Sequence, residues 1–446
     1  MKKILFMCYG GAHVNCLIQI IKKLNDEYAD MIKTSAIGIN LAAETFMEHG
    51  IPCHSLSHYV DSAEILETGM KYANMYHDFN SSVAYVDSCA YYGFSVLDLE
   101  NRIGKETAKK VIDVYDRRLF FPVESVKRIL KKESPDLLVV TSMHRFESAA
   151  IVAANEMGIP SLRIEDVLGN VLVPFPDKIQ VDTEDEKKDL INKGIDEKKI
   201  ILKSEMNSSD IKDYADYIYD QYTHINPTAF AVLCEKAKSN ITKRGTDANK
   251  IFVTGHPSFD ELNKVAPDAG IECVNSIKKN ENDVIITLMS QPLPTREKTL
   301  ISLIKQLKEK DNYKLIVKLH PNEDGLIQNE ILRELDYDAP VIKTPSAPEL
   351  TLASDIIITM TSTTGLEAAY LRKPVISLGL NNEEDFLGLG EMSLGIHVTD
   401  EEDIIPTIEE YLHGSERVEK IKAAQKDFSS NKTAVANICE LIKGLL

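Results

Sequence analysis

Residues 355–369 read Asp-Ile-Ile-Ile-Thr-Met-Thr-Ser-Thr-Thr-Gly-Leu-Glu-Ala-Ala. An apolar run of strand length ends in a hydroxyl-rich turn containing one glycine, and the turn opens onto a helical pattern. Such a strand–turn–helix belongs to an α/β unit with a parallel sheet. The first turn of a helix carries unpaired N–H groups and a partial positive charge. With Ser362, Thr363, Thr364 and Gly365 beside it, that turn suits a diphosphate without needing a basic residue. Glu367 falls within the same turn, where a carboxylate can accept two hydrogen bonds from a ribose diol. The competing reading is a plain capping box, with a hydroxyl cap completed by the glutamate.

Outward from this stretch the alternation continues. Asp283–Leu288, Lys314–Leu319, Val341–Thr344 and Val375–Leu380 read as further strands, with helices predicted at Leu300–Lys308 and Ala347–Ala353. The N-terminal half repeats the pattern: strands at Lys3–Cys8, Ile32–Gly38, Asp136–Thr141 and Ser161–Ile164, and helices at Val14–Leu24 and Glu147–Met157. Residues 55–132 are rich in tyrosine and helical in pattern, which marks an insertion. Residues 208–245 also read as helical. At 446 residues the chain is too long for one ordinary core. We therefore expect an N-terminal domain over 1–250 and a C-terminal domain over 251–446, with the hinge between about 205 and 265. Each half is a doubly wound unit, and such sheets bind ligands at the carboxyl ends of their strands. The expected site lies between two facing halves.

Composition narrows the function. Basic residues number 51 against 69 acidic ones, a net charge of −18. That excess argues against nucleic acid as a partner, since such binders present a basic face. It also disfavours tight docking on anionic lipid, while leaving room for peripheral membrane contact and for a homodimer. No apolar run approaches the roughly 18 residues needed to span a bilayer. The seven cysteines are scattered and never form Cys-x-x-Cys, the usage of reduced thiols in a cytoplasmic protein.

Three more stretches carry candidate chemistry. His320 follows a strand and precedes Pro321, which pins the chain and aims the imidazole; such a histidine can donate to a phosphate or a leaving group. Gly10 and Gly11 permit a tight turn after the first strand, and His13 then opens a helix, placed to act as a base toward an acceptor hydroxyl. Gly255 and His256 lie in the Thr-Gly-His-Pro turn at the hinge, which either touches a nucleotide or only articulates the domains. Ser290 closes a strand of the second half and is a further substrate-binding candidate. His144-Arg145 and Glu165-Asp166 follow strand ends of the first half and are acceptor-side candidates, with a structural ion pair as the alternative. Cys53, His54 and His58 have poor ligand spacing for a metal. Helix dipole and hydroxyls, rather than a divalent ion, would stabilise the phosphates, so neither a metal nor a cofactor is expected.

The order of these pieces resembles the GT-B superfamily, which includes nucleotide-sugar glycosyltransferases and hydrolysing UDP-N-acetylglucosamine 2-epimerases. Residues 134–166, the Thr-Gly-His-Pro turn with Asp260, and Thr361 to Glu367 are similar to epimerase stretches. The resemblance implies that Glu367 binds the ribose and that Ser362 to Gly365 hold the diphosphate. Epimerases carry Thr-His-Arg-Arg-Glu-Asn where this chain has Thr287-Leu-Met-Ser-Gln-Pro292. Conversely, Gly11-Ala-His-Val-Asn15 is similar to the start of family 1 glycosyltransferases, where the histidine is the base. His320-Pro321 with Ser362-Thr363 resembles paired motifs of bacterial sialyltransferases. The resulting expectation is a metal-independent glycosyltransferase of glycan biosynthesis, moving a sugar from a nucleotide-sugar donor to a glycan or small-molecule acceptor. His13 and His320 are its catalytic residues. A nucleotide-sugar 2-epimerase is the second reading and a non-catalytic sugar-nucleotide binder the third.

Overall fold

The computed structural model describes residues 1–141, 143, 145–165, 168–169, 179–192, 195, 197, 200–206, 209–380, 382–429 and 433–446. It divides into two compact units. The first comprises Met1–His256 together with Val435–Leu446, and the second comprises Pro257–Ala434.

The first unit is built on a seven-stranded sheet. Its strands are β1 (Lys2–Tyr9), β2 (Ile32–Ile39), β3 (Cys53–Ser55), β4 (Leu137–Val140), β5 (Ser161–Ile164), β8 (Ala229–Val232) and β9 (Ile251–Val253). They lie in the order β3-β2-β1-β4-β5-β8-β9, all parallel. Strands covered on both faces need no polar alternation, so β1 and β4 read as continuous apolar runs and are fully buried over Ile4–Cys8 and Leu137–Val140. The helix Ala12–Tyr28 packs Leu17, Ile21 and Leu24 on this sheet at helical spacing. Its start needs Gly11, whose φ is +77°.

Two parts of this unit depart from expectation. The region 208–245 is not wholly helical: β8 lies inside it, between β5 and β9. Ala-Phe-Ala-Val is too short to show a period of its own between helices Ser209–Thr223 and Glu235–Lys243. The chain end also returns. Helix Ala434–Leu445 places Ile438, Cys439 and Ile442 in the same core as Leu17 and Ile20, so the second unit stops short of residue 446. Among the described residues, strands β6 (Ile179–Val181) and β7 (Ile200–Leu202) pair only with each other.

The insertion folds as helices Ala63–Tyr76, Tyr85–Ile103, Lys105–Tyr115 and Val123–Glu133. The first two touch backbone to backbone. A Cβ on Gly69 would stand 1.8 Å from the Cys89 carbonyl oxygen, and one on Gly93 would stand 2.0 Å from that of Ile65.

The second unit has a six-stranded parallel sheet of β10 (Val284–Met289), β11 (Tyr313–Lys318), β12 (Val341–Ile342), β13 (Ile356–Thr359), β14 (Val375–Leu378) and β15 (Ile396–Val398). The order is β12-β11-β10-β13-β14-β15. Both sheets thus run outward from a first strand and then reverse, the doubly wound Rossmann arrangement. The reversal falls between β1 and β4 in the first unit and between β10 and β13 in the second. All seven cysteines are free thiols, five of them buried. Among the described residues, no helix is long and apolar enough to cross a membrane.

Candidate functional site

In the second unit the reversal point brings together the loops after β10 and β13. Gln291 bridges them. Its Oε1 accepts the Thr361 N–H at 2.9 Å, and its Nε2 donates to Thr361 Oγ1 at 3.2 Å. This fixes the turn that leads into helix Thr364–Tyr370. Ser362 Oγ accepts the Thr364 N–H at 3.3 Å, leaving its own hydroxyl proton to donate elsewhere. Thr364 Oγ1 is buried with no hydrogen-bond partner among the described residues, while Thr363 is exposed. An unpartnered buried hydroxyl is costly and calls for a ligand or a water.

Glu367 lies one helical position beyond Leu366, in the first turn. Burial alone pushes its carboxyl up to about 7. No positive side chain among the described residues offsets that burial, and the capping-box reading does not hold, because Thr363 makes no side-chain cap bond. Gly365 has a packing role: a Cβ there would meet Leu387 Cδ1 at 2.8 Å and Thr359 Cγ2 at 2.9 Å. It allows close approach of helix and strand.

His320 sits at the end of β11 with its backbone N–H held by Glu323 Oε2 at 3.0 Å. The Asn322 N–H donates to His320 Nδ1 at 3.2 Å. A neutral ring accepting at Nδ1 carries its proton on Nε2, so the outward nitrogen is a donor. Ser290, expected as a substrate contact, is instead part of the frame. It donates to Glu323 Oε1 at 3.0 Å and accepts from Gln328 Nε2 at 3.1 Å. Arg296 stands 3.7 Å from the same carboxylate.

In the first unit the corresponding crossing is held by Glu147, which is fully buried. Its Oε1 accepts the Tyr9 N–H at 3.1 Å; its Oε2 accepts the Thr141 N–H at 2.6 Å and Thr141 Oγ1 at 3.1 Å. Gly10 is closed in by Leu41, whose Cβ would lie 2.9 Å from a Cβ at position 10. Gly255 takes a φ of +80°, and the Thr254 carbonyl before it accepts from Asn437 Nδ2 at 3.0 Å. The structure brings His256 and His13 close enough to interact. Burial first, and the neighbouring His13 second, push His256 down to about 4. Glu165 is locked in a fully buried ion pair with Arg163 at 2.6 Å, the structural alternative to an acceptor contact. Arg244 stands beside that pair, its guanidinium held down by burial against the pull of Glu165. His144 and Asp166 lie outside the described residues. His54 and His58 stack ring on ring at 3.9 Å.

Sequence reasoning missed Gln291, Glu147 and Glu323, each of which holds at least one partner in a distant loop: Thr361, Tyr9 and Ser290 respectively. Arg145, expected with His144 on the acceptor side, is a buried guanidinium 4.9 Å from the centre of the Tyr9 ring.

The family model for UDP-N-acetylglucosamine 2-epimerase matches residues 208–443. No curated protein matches the sequence. The structure is similar to that of S. aureus MnaA bound to UDP, with a TM-score of 0.56 and 14% identity, covering 100% of this chain and 98% of that one. It is similar to the UDP-GlcNAc 2-epimerase of Neisseria meningitidis bound to UDP-GlcNAc, with a TM-score of 0.53 and 14% identity over 99% and 100% of the two chains. The calicheamicin glycosyltransferase CalG4 aligns at 0.52 with 11% identity over 100% and 98%. The fold is therefore that of GT-B proteins, two Rossmann-like units, which epimerases and transferases share. The family match overturns the expected glycosyltransferase. The motifs behind that expectation are short loop sequences that the shared frame presents in either class, whereas the match spans the hinge turn and the whole second unit. More than half of the chain lies within it, and the chain belongs to the UDP-N-acetylglucosamine 2-epimerase family.

Proposed function

We propose that the protein is a hydrolysing nucleotide-sugar 2-epimerase acting on UDP-N-acetylglucosamine. In net, the C–H bond at C2 of the sugar is broken and remade on the opposite face, and water takes the place of UDP at the anomeric carbon. The products are free UDP and N-acetylmannosamine.

The observation that carries this reading is Glu367, a carboxyl raised to about 7 by burial alone, one turn from the unpartnered Thr364 hydroxyl. A ribose diol donates two hydrogen bonds and would repay the carboxylate's lost hydration. Ser362 and Thr364 offer neutral donors to the diphosphate, and His320 Nε2 offers a third. Inversion at C2 requires one group to remove a proton and another to return one from the other face. His256, kept neutral by burial at ordinary pH, is in the form a base needs, and His13 is its neighbour.

Incubation with UDP-N-acetylglucosamine in D2O, without any acceptor, tests this. We expect UDP release together with deuterium at C2 of the product, read by NMR. Absence of deuterium at C2 would sink the proposal, even if UDP were released.

A further inference from the structure

A cleft of about 980 Å³ opens within the first unit, between the helical insertion and the β6–β7 pair. Its volume lies at the upper end of the range for small-molecule sites. Ile112, Ile201 and Ile211 give it a buried apolar floor. Tyr76, 41% exposed, presents its ring at the edge and is held there by stacking on Tyr92, with centroids 5.8 Å apart.

Asp116 is the unusual residue in the wall. It ends helix Lys105–Tyr115 with φ 52° and ψ −135°, a backbone region that L-residues other than glycine avoid. Strain of that kind persists where the surroundings hold it, often at ligand sites. Its Oδ1 is buried and has no hydrogen-bond partner among the described residues. Burial pushes the carboxyl up against the opposing pull of Arg117, Arg118 and Arg145. The cleft is thus tied to the loops that follow β1 and β4, because Arg145 also lies over the Tyr9 ring. The arginines offset part of the lost hydration, but Oδ1 itself meets no hydrogen-bond donor among the described residues.

The chemistry of the lining selects a ligand class. Lys110, Arg117, Arg118 and Lys187 are matched by Asp113, Asp116, Glu197 and Glu205 among the described lining residues. A balanced wall gives a strongly charged ligand no net attraction. It does supply many acceptors and donors for hydroxyls. An aromatic face attracts the polarised C–H groups of a sugar ring, and the apolar floor excludes water beneath it. We infer that this cleft is a second binding site, separate from the nucleotide site of the other unit, for an uncharged saccharide whose hydroxyl donates to Asp116 Oδ1 while its ring lies on Tyr76.

Saturation-transfer NMR on the full chain tests this, with glucose, N-acetylglucosamine and maltotriose as probes and saturating UDP present. At least one probe should bind and should not be displaced by UDP. Asp116→Ala and Tyr76→Ala should each weaken it by about tenfold or more, whereas Asp116→Asn, which keeps an acceptor oxygen, should stay near wild type. Should Asp116→Ala fail to fold, the half-exposed Tyr76→Ala carries the comparison. No probe bound, displacement by UDP, or wild-type affinity in Tyr76→Ala would each overturn the inference. A protein that binds saccharide but no UDP would support the cleft and count against the nucleotide reading instead.

Discussion

Gln291 holds Thr361 by both ends of its amide, accepting from the backbone N–H at 2.9 Å and donating to the side-chain hydroxyl at 3.2 Å. The two residues follow neighbouring strands, β10 and β13, at the place where the strand order of the second unit reverses. One side chain therefore ties together the two loops at the strand-order reversal, the place where doubly wound sheets in general bind their ligands. Glu147 does the equivalent task in the first unit, joining Tyr9 at the end of β1 to Thr141 after β4.

Replacing Gln291 with Leu keeps the volume but strands the half-buried Thr361 N–H. An unsatisfied donor of this kind costs about 1–3 kcal/mol. We expect urea denaturation to show a loss in that range and calorimetry to show weaker UDP binding. Unchanged stability with unchanged UDP affinity would remove Gln291 from the site.

Glu147 accepts three hydrogen bonds in a fully buried place, so Glu147→Gln is a sharper probe than its shape suggests. The amide has one acceptor oxygen, and its NH2 must then face an N–H group. Breaking such a charged network costs roughly 3 kcal/mol or more. Guanidinium unfolding should show this loss, and a variant within 0.5 kcal/mol of wild type, about the scatter of neutral surface changes, would contradict the account.

Most of the strand framework was legible because buried parallel strands leave continuous apolar runs, as in Lys3–Cys8 and Asp283–Leu288. Strand β8 was not, since four residues between two helices carry no period. Glu367 was legible from its offset in the first turn after a strand, although its role rests on burial, which sequence does not display. The Arg163–Glu165 pair had a usable signal: two residues apart on a strand point to the same face. Gln291 had none, because its partner is 70 residues away, and Glu147 had no signal for its bond to Tyr9, 138 residues away, although Thr141 is local to it. The same distance explains the overturned transferase expectation, which was built on local motifs that the two enzyme classes share.

The raised carboxyl of Glu367 makes a signed prediction for nucleotide binding. Ribose hydroxyls donate to the ionised form and so pull its pKa down from about 7. Binding near pH 6.5 must then release a proton. Calorimetric titration of UDP in buffers of different ionisation enthalpy should report that release, and Glu367→Gln should abolish it. Proton uptake, or release that survives in Glu367→Gln, would show that this carboxyl does not meet the ribose.

His256 gives the opposite dependence in stability. Its folded pKa is lowered to about 4 from an ordinary 6.5, so between those values the unfolded chain binds the additional proton. The contribution of the neutral, buried imidazole is fully present above pH 6.5 and is lost as pH falls toward 4. Two to three pKa units would amount to about 3 kcal/mol at full burial. Melting temperatures of wild type and His256→Asn should therefore converge as the pH is lowered from 7 to 4.5, the variant showing the flatter acid limb. Parallel limbs would mean that the imidazole is already solvated in the native state, and it would then lose its standing as a base held neutral by its surroundings.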